Sequence, residues 1–373
     1  MAVPYLSRLG ALIDAFVRVA KMCLTDFHLR LHSSGKLMCS GYAMTKTHKR
    51  QHTIPQVYLR GWLEPYTPAG QTAAIHIIAK ESKEVRRKSP TKSFTSNDRY
   101  TVHLKDGERN LVVENYLGRI ESDFQGVLHA VRNRQSLTAS HRAKLAVFTA
   151  AMMGRAPVQS ESFRRQLQPL EEIVEKAGTP EQAEELSEYI LNHAAYYTTS
   201  TIEASAPMLF NMVPSILITN NATGFITSDN PAVMFNPNAY KLPPFYRSPG
   251  LATIDVEITL PLTPKHLIVY THRRHLPLYQ PVDLKTVDEL NRRTWAHAHQ
   301  EVVSKTGIVK DIWSQPGEPP KDAWTPESDP ILSKQPRSAE SIPAAEKLRQ
   351  STLSHEYWRS RTWLPPELLP KRR

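Results

Sequence analysis

Thiols are almost absent from this chain: its two cysteines are Cys23 and Cys39, and everything after Met44 lacks them. A disulfide framework, a cysteine-based zinc site and a cysteine nucleophile are therefore excluded for most of the chain, and a reducing, cytoplasmic setting is expected. No uninterrupted apolar run approaches the ~20 residues that span a bilayer, so no transmembrane segment is expected either. Also missing are a Gly-rich phosphate loop, a Gly-x-Ser-x-Gly elbow, a His-Glu-x-x-His zinc helix and a Rossmann fingerprint. Their absence argues against nucleotide-dependent and serine-hydrolase chemistry.

What is present suits a globular core. The 373 residues are 40% apolar and 22% charged, ordinary values for a folded domain. The 47 basic residues outnumber 36 acidic ones, and the formal charge of +11 favours acidic partners such as nucleic acid or anionic surfaces. Much of that surplus lies at the ends, in Arg8, Arg18, Lys21, Arg30 and Lys36 and again in Arg359, Arg361, Lys371, Arg372 and Arg373. Basic tails of this kind also serve solubility alone.

Residues 4–24 have helical periodicity, through Leu6, Leu9, Ile13, Phe16, Val17 and Ala20. Asp14 and Arg18 interrupt it too early for a signal peptide, which leaves a membrane-surface helix, a peripheral packing helix, or translation that begins at Met44. We favour the Met44 start or a dispensable extension over residues 1–43. Strands are expected at Ala74–Ala79 and Arg99–Leu104, separated by a charged loop from Lys80 to Lys88. Helices are expected along the stripe Val113, Leu117, Ile120, Phe124, Leu128 and Val131, from Ser140 to Arg155, and over residues 163–195 with a break at Gly178-Thr179-Pro180. Ile216–Thr219 and Gly224–Thr227 suggest a hairpin, Asp255–Leu260 and Leu267–Thr271 two further strands, and Leu284–Val303 a last helix. The expected architecture is α+β: a single mixed domain over residues 44–312, mostly antiparallel sheet with inserted helices. A Pro-rich linker and basic tail follow over 313–373.

Three motifs recur in a recognisable combination: His52-Thr53-Ile54-Pro55-Gln56-Val57-Tyr58-Leu59-Arg60-Gly61-Trp62, the helix break Arg155-Ala156-Pro157, and Ile226-Thr227-Ser228-Asp229-Asn230-Pro231. Together they resemble the domain of unknown function 4238 (DUF4238) family, over most of residues 48–303. The resemblance implies a bacterial-type soluble protein without an assigned activity. It also implies matching positions at His52, Pro55, Leu59, Arg155, Pro157, Ser228, Asp229, Asn230 and Pro231.

The residues themselves suggest one polar cluster. His52 precedes an apolar run expected to be extended, and is a candidate general base or a hydrogen-bonded structural histidine. Asp229 and Asn230, between an apolar strand and a proline, fit an Asx turn or a base and metal ligand at a strand end. Arg155 falls on an apolar helical stripe and needs an anionic partner, with Glu121 and Asp229 as the candidates. Asn291 sits between Val287 and Trp295 on a similar stripe and needs hydrogen-bond partners. In the catalytic version, Asp229 and Glu121 hold a divalent cation such as Mg or Mn through oxygen ligands. Arg155 then neutralises a phosphate and His52 transfers a proton, giving a phosphoester or nucleic-acid hydrolase of a defence or toxin-like setting. In the structural version the cluster braces the fold, and the protein is a non-catalytic binding module for an acidic partner. That module would use Arg155 and the patch of His272, Arg273, Arg274 and His275. His297 and His299, two apart on a helix, point to opposite sides and cannot chelate one metal together.

Overall fold

A computed structural model of the protein describes residues 49–325, apart from 68, 105–106, 244–245, 248–249, 274–275 and 316–321. The helix considered over 4–24 and the tail beyond residue 325 lie outside the described residues. Strand β1 (Arg50–His52) leads into a helical turn, α1 (Gln56–Leu59), which a 3-10 turn continues over Arg60–Trp62. The extended run expected after His52 is therefore corrected. Ile54, Tyr58, Leu59 and Trp62 are all buried, a spacing that fits one face of a helix and not the alternation of a strand.

Strands β2 (Ile75–Ala79) and β3 (Val85–Lys88) pair antiparallel, so the charged segment expected as a loop ends in a strand. β3 lies at a sheet edge, where charge guards open backbone groups against further pairing. Strand β4 (Thr95–Asn97) pairs with β1, and β5 (Val102–His103) with β6 (Arg109–Asn110), which shortens the strand expected over Arg99–Leu104. Helix α2 (Val112–Arg132) buries the whole stripe from Val113 to Val131 that its spacing predicts. Helix α3 (Ala139–Gly154) stops at Arg155, and Pro157 opens α4 (Pro157–Ala177) at a position where its missing N–H is not needed. A capping box between Thr179 and Gln182 starts α5 (Pro180–Leu191), and α6 (His193–Asn211) extends the helical region well past residue 195.

The remaining elements are β7 (Val213–Ile218), β8 (Thr227–Ser228), β9 (Val233–Phe235), β10 (Glu257–Thr263), β11 (His266–Thr271), β12 (Tyr279–Pro281), α7 (Leu284–His297), β13 (Glu301–Ser304) and α8 (Asp311–Ser314). They complete a five-stranded sheet in the order β12-β7-β11-β10-β9 and a four-stranded sheet in the order β3-β2-β13-β8. Among the described pairs only β12 against β7 is parallel. The architecture is α+β with mostly antiparallel sheet.

Two expectations fail here for the same reason. β7 and β8 belong to different sheets and form no hairpin. The chain between them crosses the β10–β11 turn, where the Phe225 amide donates to the Pro264 carbonyl at 2.8 Å. Gly224 makes that crossing feasible: its φ is +66°, and a Cβ there would lie 2.2 Å from the Pro264 oxygen. Helix α7 ends at His297, not at Val303. Residues 301–304 leave it to pair with β2 and β8, so His299 is not helical.

The five-stranded sheet is covered on both faces. Ile216, Ile218, Ile258, Leu260 and Ile268 join the main core with α2, α3 and α6, while Leu217, Leu267 and Val269 face Val287 and Leu290 of α7. Nearer its C-terminal end, α7 presents Trp295 to Ile78 and Val302 of the four-stranded sheet. Helix α7 is thereby wedged against both sheets, and two polar groups settle beside it and beside β1.

Candidate functional site

The first polar group gathers at the end of β1. Arg155, the residue that closes α3, is 3% exposed and aims its guanidinium at two elements. Its Nη1 donates to Glu121 Oε1 of α2 at 2.7 Å, and its Nη2 donates to the backbone carbonyl of His52. The guanidinium carbon stands 5.3 Å from the centre of the Tyr100 ring. Gln51, also buried, accepts from the Tyr100 amide at 2.6 Å and donates to the Thr101 hydroxyl at 2.9 Å. Two buried atoms of this group, Arg155 Nε and the Tyr100 hydroxyl, have no hydrogen-bond partner among the described residues.

His52 is half-buried at the rim of the group. Its Nε2 lies 3.2 Å from the Thr91 carbonyl oxygen and 3.2 Å from the Gln56 side-chain nitrogen. Nε2 either donates to the first or accepts from the second, depending on the tautomer. Burial holds the imidazole below its usual pKa, although the Thr91 carbonyl and Glu121 pull it back up. The ring is therefore neutral near pH 7.

The second polar group holds the junction between α7 and β13. Asp229 Oδ1 accepts the His299 amide at 2.8 Å, and Oδ2 accepts the Gln300 and Glu301 amides at 2.7 and 3.1 Å. Asn230 donates to the His297 carbonyl at 3.0 Å. Asn291, buried on α7, accepts the Ile226 amide at 3.0 Å and donates to the Gly224 carbonyl at 2.9 Å. Lys80 completes the junction by donating to the Ala296 and Ala298 carbonyls, each at 2.8 Å, a cation at the negative end of a helix. These contacts explain why α7 stops where it does.

The expected single cluster is thus two. His52, Glu121 and Arg155 meet as anticipated, whereas Asp229, Asn230 and Asn291 have other partners elsewhere. The carboxylates expected to share a cation are engaged differently, Glu121 by Arg155 and Asp229 by three amides. Among the described residues no group of three or more His, Cys, Asp or Glu is placed to hold a metal. His272 Nε2 contacts the Leu251 carbonyl at 2.8 Å and Arg273 lies 3.7 Å from Asp255, while Arg274 and His275 are outside the described residues.

Profile comparison matches residues 50–307 to the family described as "Protein of unknown function (DUF4238)". The chain belongs to the DUF4238 family. The matched span runs from β1 through β13, so both polar groups lie inside the DUF4238 unit. No curated protein and no solved structure matches the chain. Among the described residues no helix is long and apolar enough to cross a membrane.

Sequence reasoning missed a third buried group in this DUF4238 chain. Arg293 Nη1 donates to Glu257 Oε2 at 2.7 Å with both side chains 1% exposed, and its Nε donates to Glu289 Oε1 at 3.0 Å. Its guanidinium carbon also stacks 4.1 Å from the Phe235 ring centre. Glu289, four residues earlier on the same helix, was a legible signal. Glu257, on β10, was not.

Proposed function

We propose that this DUF4238 chain is a non-catalytic binding module for an acidic partner, in which the buried polar residues brace the fold. The supporting observation is the use of Asp229: both of its oxygens are taken up by backbone amides of the α7–β13 junction. A carboxylate so engaged is a cap, and recruiting it as a base or cation ligand would release three amides at once. The chain's charge of +11 supports an acidic partner. The test pairs binding with turnover in the full chain. Salt-sensitive binding of a polyanion without cleavage is expected, and Asp229→Asn should lower stability while the folded fraction still binds. Divalent-metal-dependent phosphodiester cleavage that vanishes in a fully folded Asp229→Asn variant overturns this reading.

The second reading, a phosphoester or nucleic-acid hydrolase, is favoured by His52 alone. That ring is neutral near pH 7 and half-buried, and the Glu121–Arg155 pair is close enough to act on it electrostatically. On that reading His52→Gln abolishes hydrolysis of a phosphodiester while thermal stability holds.

A further inference from the structure

The end of α2 and the β10–β11 turn form a corner where positive charge collects. Tyr279 of β12 donates its hydroxyl to the Gln135 carbonyl at 2.6 Å, which ties the chain just after α2 to the five-stranded sheet. In that sheet Tyr279 lies opposite Ile216, two residues along β7 from Ile218, whose antiparallel partner is His266 beside Lys265. Arg132, Arg134 and Lys265 are all exposed, and none of the three has a carboxylate partner among the described residues. His266, beside them, is neutral near pH 7: burial first and then Arg132, Arg134 and Lys265 push its pKa down to about 4.

Arg134 stands in an unusual place. The Gln135 amide reaches back to the Ala130 carbonyl and the Arg134 amide to the Val131 carbonyl, each at 3.0 Å, which closes the helix with a Schellman turn. The turn puts Arg134 at φ +52°, where glycine is the unstrained residue. Among the described residues its side chain makes no ion pair that would offset this strain.

We propose that Arg132, Arg134 and Lys265 form a docking surface for the phosphate backbone of a nucleic acid. The inference rests on the binding-module reading above and specifies its surface and partner. Nucleic acid is favoured over an acidic protein by what surrounds the cations. The exposed run Arg132-Asn133-Arg134-Gln135-Ser136 offers hydrogen-bonding groups and no aliphatic or aromatic anchor. Protein partners draw much of their affinity from such anchors, whereas polyphosphate binding is driven by counterion release and needs none.

The test is fluorescence anisotropy of the full chain with a labelled DNA duplex, and with polyglutamate as competitor, over a series of salt concentrations. The variants are Arg132→Gln, Arg134→Gly, Lys265→Gln and the triple combination. Each removed charge should weaken duplex binding about 8-fold at 0.1 M salt and lower the log–log salt slope by about 0.9. Arg134→Gly should do so with an unfolding midpoint equal to or above that of the parent, which separates lost binding from lost folding. A folded triple variant with the parent's affinity and slope overturns the surface while leaving the binding-module reading intact. Polyglutamate that competes as strongly as unlabelled duplex overturns the nucleic-acid assignment in favour of an acidic protein. A parent chain that binds neither polymer overturns the inference and the reading together.

Discussion

Replacing Asp229 by asparagine keeps the shape of the side chain and removes its charge, so it isolates what the carboxylate does. With the asparagine oxygen in place of Oδ2, the Gln300 and Glu301 amides keep an acceptor while the His299 amide meets an N–H donor. Two charge-assisted bonds become neutral ones, at about 1 kcal/mol each, and a third is lost, at about 1.5 kcal/mol. Because His299 and Gln300 are exposed, water recovers part of this, and the net loss is about 3 kcal/mol. For a domain of this size that corresponds to a melting midpoint roughly 6–10 °C lower. Urea denaturation followed by circular dichroism measures it directly, with the m-value expected to stay constant. A variant as stable as the parent, or more so, would refute the bracing role. The carboxylate would then be held against folding stability for another purpose, as functional residues are.

Three further outcomes follow from the other buried charges. Glu121→Leu strands the buried Arg155 guanidinium and should cost about 3–5 kcal/mol; Arg155→Met leaves Glu121, 27% exposed, able to reach water and should cost less in the same urea titration. Arg293→Met should cost about 3–5 kcal/mol, and adding Glu257→Met should restore part of it, because the buried carboxylate is then removed together with the guanidinium that neutralised it; equal stability of the single and double variants refutes the coupling. His297 has its pKa pushed down to about 4, by burial first and by Arg293, Lys80 and Arg292 after the opposing Arg293 carbonyl. The folded state therefore resists a proton that the unfolded chain accepts near 6.5, so the neutral ring's contribution is complete above pH 6.5 and is lost as pH falls toward 4. With a half-buried ring the difference is about 2 kcal/mol, read as the loss between pH 7 and pH 4 in the parent minus that in His297→Gln; no difference refutes it.

Local pattern determined much of this protein. The stripe of α2, the proline that separates α3 from α4, the capping box of α5 and the β10–β11 hairpin are all readable from spacing, because each is stabilised by residues close to it in the chain. The pairing of Arg155 with Glu121 was also legible, since a guanidinium on an apolar stripe has few ways to be buried. The family motifs marked His52 and Asp229 as notable but could not assign them to one site or two.

What only the tertiary structure decided was where long-range partners overrule local periodicity. Trp295, Ala298 and Val302 keep a helical spacing, yet Lys80 and Asp229 cap the chain near His297 and β2 and β8 capture Val302 into a sheet. Residues 224–227 alternate as a hairpin strand would, yet Asn291 holds Gly224 and Ile226 against α7. Arg293 found Glu257 36 positions away. Hydrogen bonds and ion pairs between residues so distant in the chain leave no periodic trace in it, because their strength depends on where the fold places the partners and not on how the sequence is spaced.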